Sequence, residues 1–188
     1  RVEVVRMAAG PEVELFIDAN CSLDLYHARQ LCQMIEPFRI EFFEEPITQN
    51  DVRQLSELRS QTTIRLACGQ NEGQAYRFRD MMIAGAVDII QPNVAITGGF
   101  TQCQKIAALA NSFNISVDNG GAWPFFNQHL QAGLSNGGLV EYHYSSVEVC
   151  KRLYIGLPEP KQGWLTMTDA PGLGFELNTA ALSHFEID

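Results

Sequence analysis

Short apolar runs recur along this chain, each followed by a polar turn and an amphipathic stretch. The runs are "VELFID" (13–18), "RIEFFE" (39–44), "TIRLAC" (63–68), "VDIIQP" (87–92), "NISVD" (114–118) and "GLVEYH" (138–143). They are short, rich in Val, Ile and Phe, and bounded by Gly, Pro, Asn or Asp, which predicts strands. The stretches between them predict helices. Residues 22–36 open with Ser22 as N-cap and carry apolar residues at 25, 28, 31, 32 and 35. Further helices are expected near 50–60, 73–85, 99–112 and 123–135, the last with Pro124 in its first turn. "RVEVVRMAAG" reads as the last turns of a helix stopped by Gly10 and Pro11. The tail after 150, with "GLPEPKQGW" and "APGLGFELN", is expected to be an ordered loop covering the fold, because it keeps Trp164, Leu165 and Phe175.

Six β-then-α units in series predict a parallel sheet with helices outside it. A doubly wound nucleotide-binding sheet needs a glycine-rich turn after its first strand, and "DANCSLD" has no glycine. In a (β/α) barrel, functional groups stand at the C-terminal ends of several strands. Polar residues fall at such ends here: Asp18, Glu44, Gln70, Asn93, Asp118 with Asn119, and Glu141. The expected fold is α/β, an incomplete TIM-type barrel over residues 1–188. A complete barrel takes about 250 residues, so about two strands are expected to be missing at the front.

The chain has 188 residues, enough for one good-sized core, and a net charge of −9. That balance argues against nucleic-acid binding, which needs a basic face, and against an anionic membrane surface. No run approaches the roughly 18 apolar residues of a membrane span. The five cysteines (21, 32, 68, 103 and 150) form no CxxC pair and predict free thiols in a reducing cytoplasm.

The step from Asp18 to Glu44 is 26 residues (44 − 18), and the same step again (44 + 26) reaches Gln70. One oxygen ligand on each of three successive strands would suit a hard cation such as Mg²⁺. A second account of Asp18 and Glu44 makes them solvated or helix-capping residues at strand ends. Glu72, two residues beyond Gln70, is a rival third ligand, with Gly69 and Gly73 allowing an unusual local path. His143 follows Glu141 by two and would share its face, as a substrate contact or a structural histidine at the rim. His129 reads as a packed helix residue, and His27 and His184 as surface. "ITGGFTQ" reads as a tight turn into a helix, with an anion cradle as the alternative. "WPFFN" reads as core, with a substrate cage as the alternative.

"LFIDAN", "FFEEP", "ACGQ", "DIIQPNVAITGGFTQ" and "GLVEYH", in that order, resemble the enolase superfamily and within it the mandelate racemase and muconate lactonizing branch. The likeness runs from about residue 1 to the "PGLGFELN" tail. It implies strands 3–8 of a modified (β/α)₇β barrel, without the N-terminal capping domain of the parent. It also implies a Mg²⁺-dependent lyase or isomerase that abstracts the proton α to a carboxylate, with an acid-sugar dehydratase as the expected member. By the resemblance Asp18, Glu44 and Gln70 are the metal ligands, and Asn20 and Glu45 support them. Glu141 would contact a substrate carboxylate or act as an acid. The branch with a His–Asp dyad has Asp where Asn93 stands, and "VDNGG" offers Asp118 or Asn119 where a His would be. Asn cannot act as a general base, so the dyad is expected to be absent. Proton abstraction would then fall to a Lys on the missing second strand, assisted by Glu141 or Asp118, and this chain alone is expected to be inactive. Gln70, Asn93 and Asn119 each put an amide where charge or imidazole is expected. A catalytically inactive relative, serving as ligand binder or assembly subunit, is therefore the alternative. Open sheet edges predict a homo-oligomer.

Overall fold

The computed structural model describes residues 1–184. Its centre is one six-stranded sheet: β1 (Leu15–Asp18), β2 (Ile40–Glu44), β3 (Arg65–Cys68), β4 (Ile89–Ile90), β5 (Ser116–Asn119) and β6 (Gly137–Val140). The strands pair in sequence order and all are parallel. A doubly wound sheet reverses its order at a switch point. This one never does, and it curls into a half-barrel of the incomplete TIM type.

Helices α1 (Val2–Ala9), α2 (Leu25–Ile35), α3 (Val52–Arg59), α4 (Ala75–Ile83), α5 (Phe100–Ser112), α6 (Pro124–Ala132) and α7 (Tyr144–Leu153) complete the units. Gly10 ends α1 at φ 82°, its N–H bonded to the Arg6 carbonyl. The cap of α2 is Asp24 rather than Ser22, and its carboxylate accepts from the His27 N–H. Asx and Ser side chains compete for this role, and the chain enters the helix two residues later than the pattern implied. Pro124 does open α6. The tail is more regular than a loop. β7 (Tyr154–Ile155) and β8 (Glu176–Leu177) form an antiparallel ribbon, followed by α8 (Thr179–His184). These elements are too short for hydrophobic periodicity to reveal.

The helix-facing side of the sheet is the core. Phe43, Leu66, Ile90 and Val117 meet Ala28, Cys32, Leu55, Leu58, Phe78, Met81, Ile106 and Ala110 from α2 to α5. Each large side chain buried there contributes about 1.5–3 kcal/mol. Alternation along the strands sends the neighbouring residues to the concave face. Phe42, Ala67 and Ile89 form a buried row there, and Phe16 lies against Phe42 with ring centroids 4.5 Å apart. Phe125 anchors a separate cluster with Tyr142, Tyr154 and Phe175, so "WPFFN" is core and the tail packs on it. All five cysteines are free. No described helix is long and apolar enough to cross a membrane.

Candidate active site

The register sets the site. Asp18 and Glu44 are directly paired at the ends of β1 and β2. With Gln91, Asp118, Asn119 and Glu141 they line one concave cavity of about 380 Å³, floored by Phe16 and Phe42. Among the described residues no Lys, Arg or His lines it. A larger cavity of about 500 Å³ lies between α6, β6 and the 160–167 segment, and among the described residues no ionisable side chain except Tyr142 lines it.

Asn20, at φ 45°, brackets the Asp18 carboxylate, its backbone N–H and its side-chain amide each donating at 2.7 Å. Partial burial raises the Asp18 pKa, with repulsion from Glu45 and Glu141 adding to it and the Asn20 bonds opposing. Glu44 is 9 % exposed. Burial pushes its carboxyl up to about 8, with Asp18, Glu141 and Glu45 adding repulsion and a bond from Gln91 opposing. Burial also raises Asp118, whose Oδ1 accepts from the Leu139 N–H at 2.8 Å. Gly138 is required beside it, since a side chain there would run into that carboxylate. Glu141 accepts from the Ala122 N–H at 2.9 Å.

The amides divide into two groups. Asn93, fully buried, donates through Nδ2 to the carbonyls of Gly120, Gly121 and Ala122, at 2.9, 2.9 and 3.1 Å, and its Oδ1 accepts from the Ala95 N–H. It is committed to holding the loop after β5, where Gly121, Ala122 and Trp123 all have positive φ. Asn119 and Gln91 are different. Both line the cavity, and Asn119 Oδ1 and Gln91 Oε1 are buried with no donor among the described residues. Gln91 escaped the sequence reading. Its signal is the alternation Ile89–Gln91, which places a polar side chain on the concave face just past a buried one.

Gln70 lies beside this cavity rather than in its lining. Its amide donates to Glu45 at 3.1 Å, while its oxygen lies against Gly121. Glu45 is fully buried. Glu72, the rival third ligand, is committed elsewhere: both its oxygens pair with Arg77, at 3.0 and 3.2 Å. His143 does not share a strand face with Glu141, because β6 ends at Val140 and the imidazole caps α7 by accepting from the Ser146 N–H. His129 is packed edge-on to Phe100 and bonded to the Leu173 carbonyl, and His27 is an exposed partner of Asp24. The His184 side chain lies outside the described residues. Gly99 caps α5, so "ITGGFTQ" forms the turn into that helix.

Glycines 120 and 121 close over the site. A Cβ on Gly120 would sit 2.8 Å from both Glu44 Oε1 and Gln91 Nε2, and one on Gly121 would sit 3.1 Å from Gln70 Cβ. Glu44 and Gln70 therefore lie under one two-residue backbone cradle. Among the described residues no three Asp, Glu, His or Cys side chains form a metal-holding group. The available donors are two paired carboxylates and carboxamide oxygens, all hard ligands, gathered where like charges lack a counter-ion. That set fits Mg²⁺.

Known proteins share this fold. Residues 1–181 match the family model "Enolase C-terminal domain-like". The chain is 29 % identical to D-gluconate dehydratase of Thermoproteus tenax, over all of this chain and 39 % of that protein. It is 30 % identical to a mandelate racemase/muconate lactonizing enzyme from a marine actinobacterium, solved in complex with magnesium, with a TM-score of 0.88 over 97 % of this chain and 52 % of that one. L-Talarate dehydratase from Polaromonas sp. JS666, solved with Mg and L-glucarate, is 28 % identical with a TM-score of 0.88, over 97 % of this chain and 49 % of that one. The chain spans about half the length, or less, of the curated relatives it matches. Sequential parallel strands, acids at their C-terminal ends and a family match over almost every residue agree: the chain belongs to the enolase superfamily, as a C-terminal barrel domain of the mandelate racemase/muconate lactonizing enzyme branch.

Proposed function

We propose that this chain supplies the metal-binding and substrate-orienting part of a cytoplasmic, Mg²⁺-dependent acid-sugar dehydratase or isomerase. The observation that carries the reading is the in-register pair Asp18 and Glu44 facing one acidic cavity, with the Gln70 oxygen beside it. Relatives that are D-gluconate dehydratase and D-galactarolactone cycloisomerase support the substrate class. Asp18, Glu44 and Gln70 would hold the cation, and Asn20 fixes the Asp18 carboxylate. When bound, Mg²⁺ supplies Lewis-acid stabilisation of charge developing on a substrate carboxylate. Asp118 holds or moves a proton at Oδ2, since Oδ1 is taken by Leu139. Asn119 Oδ1 and Gln91 Oε1 are buried acceptors in need of donors, which substrate hydroxyls would provide. Glu141 orients the loop through Ala122 and faces the substrate.

One observation favours a second reading. No three acidic, His or Cys groups among the described residues are placed to hold one metal ion, and Asn93 is spent on backbone carbonyls. On that reading the domain binds an acid sugar, or serves in an assembly, without catalysis.

Titration with Mn²⁺, read by electron paramagnetic resonance, separates these outcomes. Wild type is expected to bind, more tightly with L-glucarate or D-gluconate present. Asp18→Asn and Glu44→Gln are each expected to weaken binding at least about tenfold. Equal binding by wild type and both variants overturns the metal site. Sugar binding that ignores Mn²⁺ favours the second reading.

A further inference from the structure

The Glu45 side chain is fully buried and faces no cation within the usual pairing distance among the described residues. Carboxamides surround it instead. Asn50 Nδ2 donates to Oε1 at 2.9 Å, and Gln70 Nε2 and Asn71 Nδ2 donate to Oε2 at 3.1 and 2.7 Å. The Cys21 thiol adds a fourth donor at 3.4 Å. Among the described residues four donors and no acceptor meet the Glu45 oxygens. The arrangement also settles which way Gln70 points. Reversing its amide would set two oxygens 3.1 Å apart, so the nitrogen must face Glu45. The Gln70 oxygen is thereby turned the other way, against Gly121, the neighbour of the glycine that covers Glu44.

We propose that Glu45 is a positioning residue that turns the Gln70 carbonyl oxygen toward the cation and polarises it, so that the negative charge absent from position 70 acts from one residue behind it. An N–H bonded to a carboxylate raises the basicity of the amide oxygen at the other end, as outer partners do for ligands at metal sites. The inference rests on the proposed metal site. It explains why a neutral third ligand can suffice there: a carboxylate at position 70 would have no N–H to offer Glu45.

The test is Mn²⁺ affinity of the full 188-residue chain, read by electron paramagnetic resonance, with thermal melting in chelator as the control for folding. Glu45→Gln is expected to weaken Mn²⁺ binding about tenfold or more without touching the ion. The exchanged variant E45Q/Q70E, which moves the carboxylate forward, is expected to return affinity to within about threefold of wild type. Gln70→Leu, which does not depend on Glu45→Gln folding, is expected to weaken binding by a similar factor. The double variant E45Q/Q70L is expected to be no weaker than either single one, because both remove the same interaction. Wild-type affinity in a folded Glu45→Gln or Gln70→Leu chain overturns the inference, as does full additivity of the two changes. If wild type itself binds no Mn²⁺, or Asp18→Asn leaves binding unchanged, the metal site fails and not merely the role of Glu45.

Discussion

Replacing Asn93 by Asp tests whether the amide at that position holds the site loop together. The change is one atom in size, and the side chain is fully buried. In the wild type Nδ2 serves three carbonyls. Gly120 O also accepts from Asn119 and Ala122 O from Asn127, at 3.1 and 3.0 Å. Of the three, only the Gly121 carbonyl is then left without a donor among the described residues, at about 1–3 kcal/mol. The larger effect is electrostatic. An ionised carboxylate would face three carbonyl oxygens with no donor except the Ala95 N–H, and an uncompensated buried charge costs about 3–5 kcal/mol. The introduced carboxyl escapes by staying protonated, since its O–H can serve one carbonyl. Its folded-state pKa is therefore raised above the unfolded value of about 3.9. The sign follows: the penalty is absent below about pH 4 and grows by about 1.4 kcal/mol per pH unit above it, until the folded-state pKa is reached. Asn93→Asp is expected to lose about 4–5 kcal/mol at pH 7 and about 2 kcal/mol at pH 5. Urea unfolding followed by Trp fluorescence, with wild type measured at each pH, reads the difference. Equal midpoints at pH 7, or a deficit that does not shrink at pH 5, would refute the reasoning.

Three further outcomes follow from the same contacts. Gly120→Ala places a methyl 2.8 Å from Glu44 Oε1 and Gln91 Nε2; it is expected to cost about 1–3 kcal/mol in urea unfolding and to weaken Mn²⁺ binding, and a neutral result would mean the loop yields freely. Phe43→Ala empties a fully buried site in the core and is expected to cost about 3–5 kcal/mol; a loss under 1 kcal/mol would show that the helices collapse onto the sheet. β1 and β6 bear no further strand on their outer sides among the described residues, so light scattering at micromolar concentration is expected to show an assembly larger than one 20.9 kDa chain; a monomer would count against edge pairing.

Much of the architecture was legible because burial imposes periodicity. The parallel strands are buried on the helix side, so Phe43, Leu66 and Ile90 stand out as apolar runs. The tail was not legible, because β7 and β8 have two residues each and their place comes from Phe125 and Phe175 meeting across the chain. The Ser22 cap failed for a local reason: Asp24 is an equally good cap two residues on.

For the site, the even spacing of Asp18, Glu44 and Gln70 was visible because each β/α unit has nearly the same length, and a carboxylate at a strand end needs no partner to be noticed. Direction was invisible. That Gln70 turns its oxygen away from Glu45, that Glu72 goes to Arg77, and that Asn93 is consumed by three carbonyls all depend on hydrogen bonds between residues 5 to 29 positions apart. Sequence alone determined the order of the strands and which residue types stand at their ends, since both follow from local pattern. Only the tertiary structure decided which of those polar groups are free to meet a ligand, because each amide and carboxylate is oriented by whichever distant donor or acceptor reaches it first.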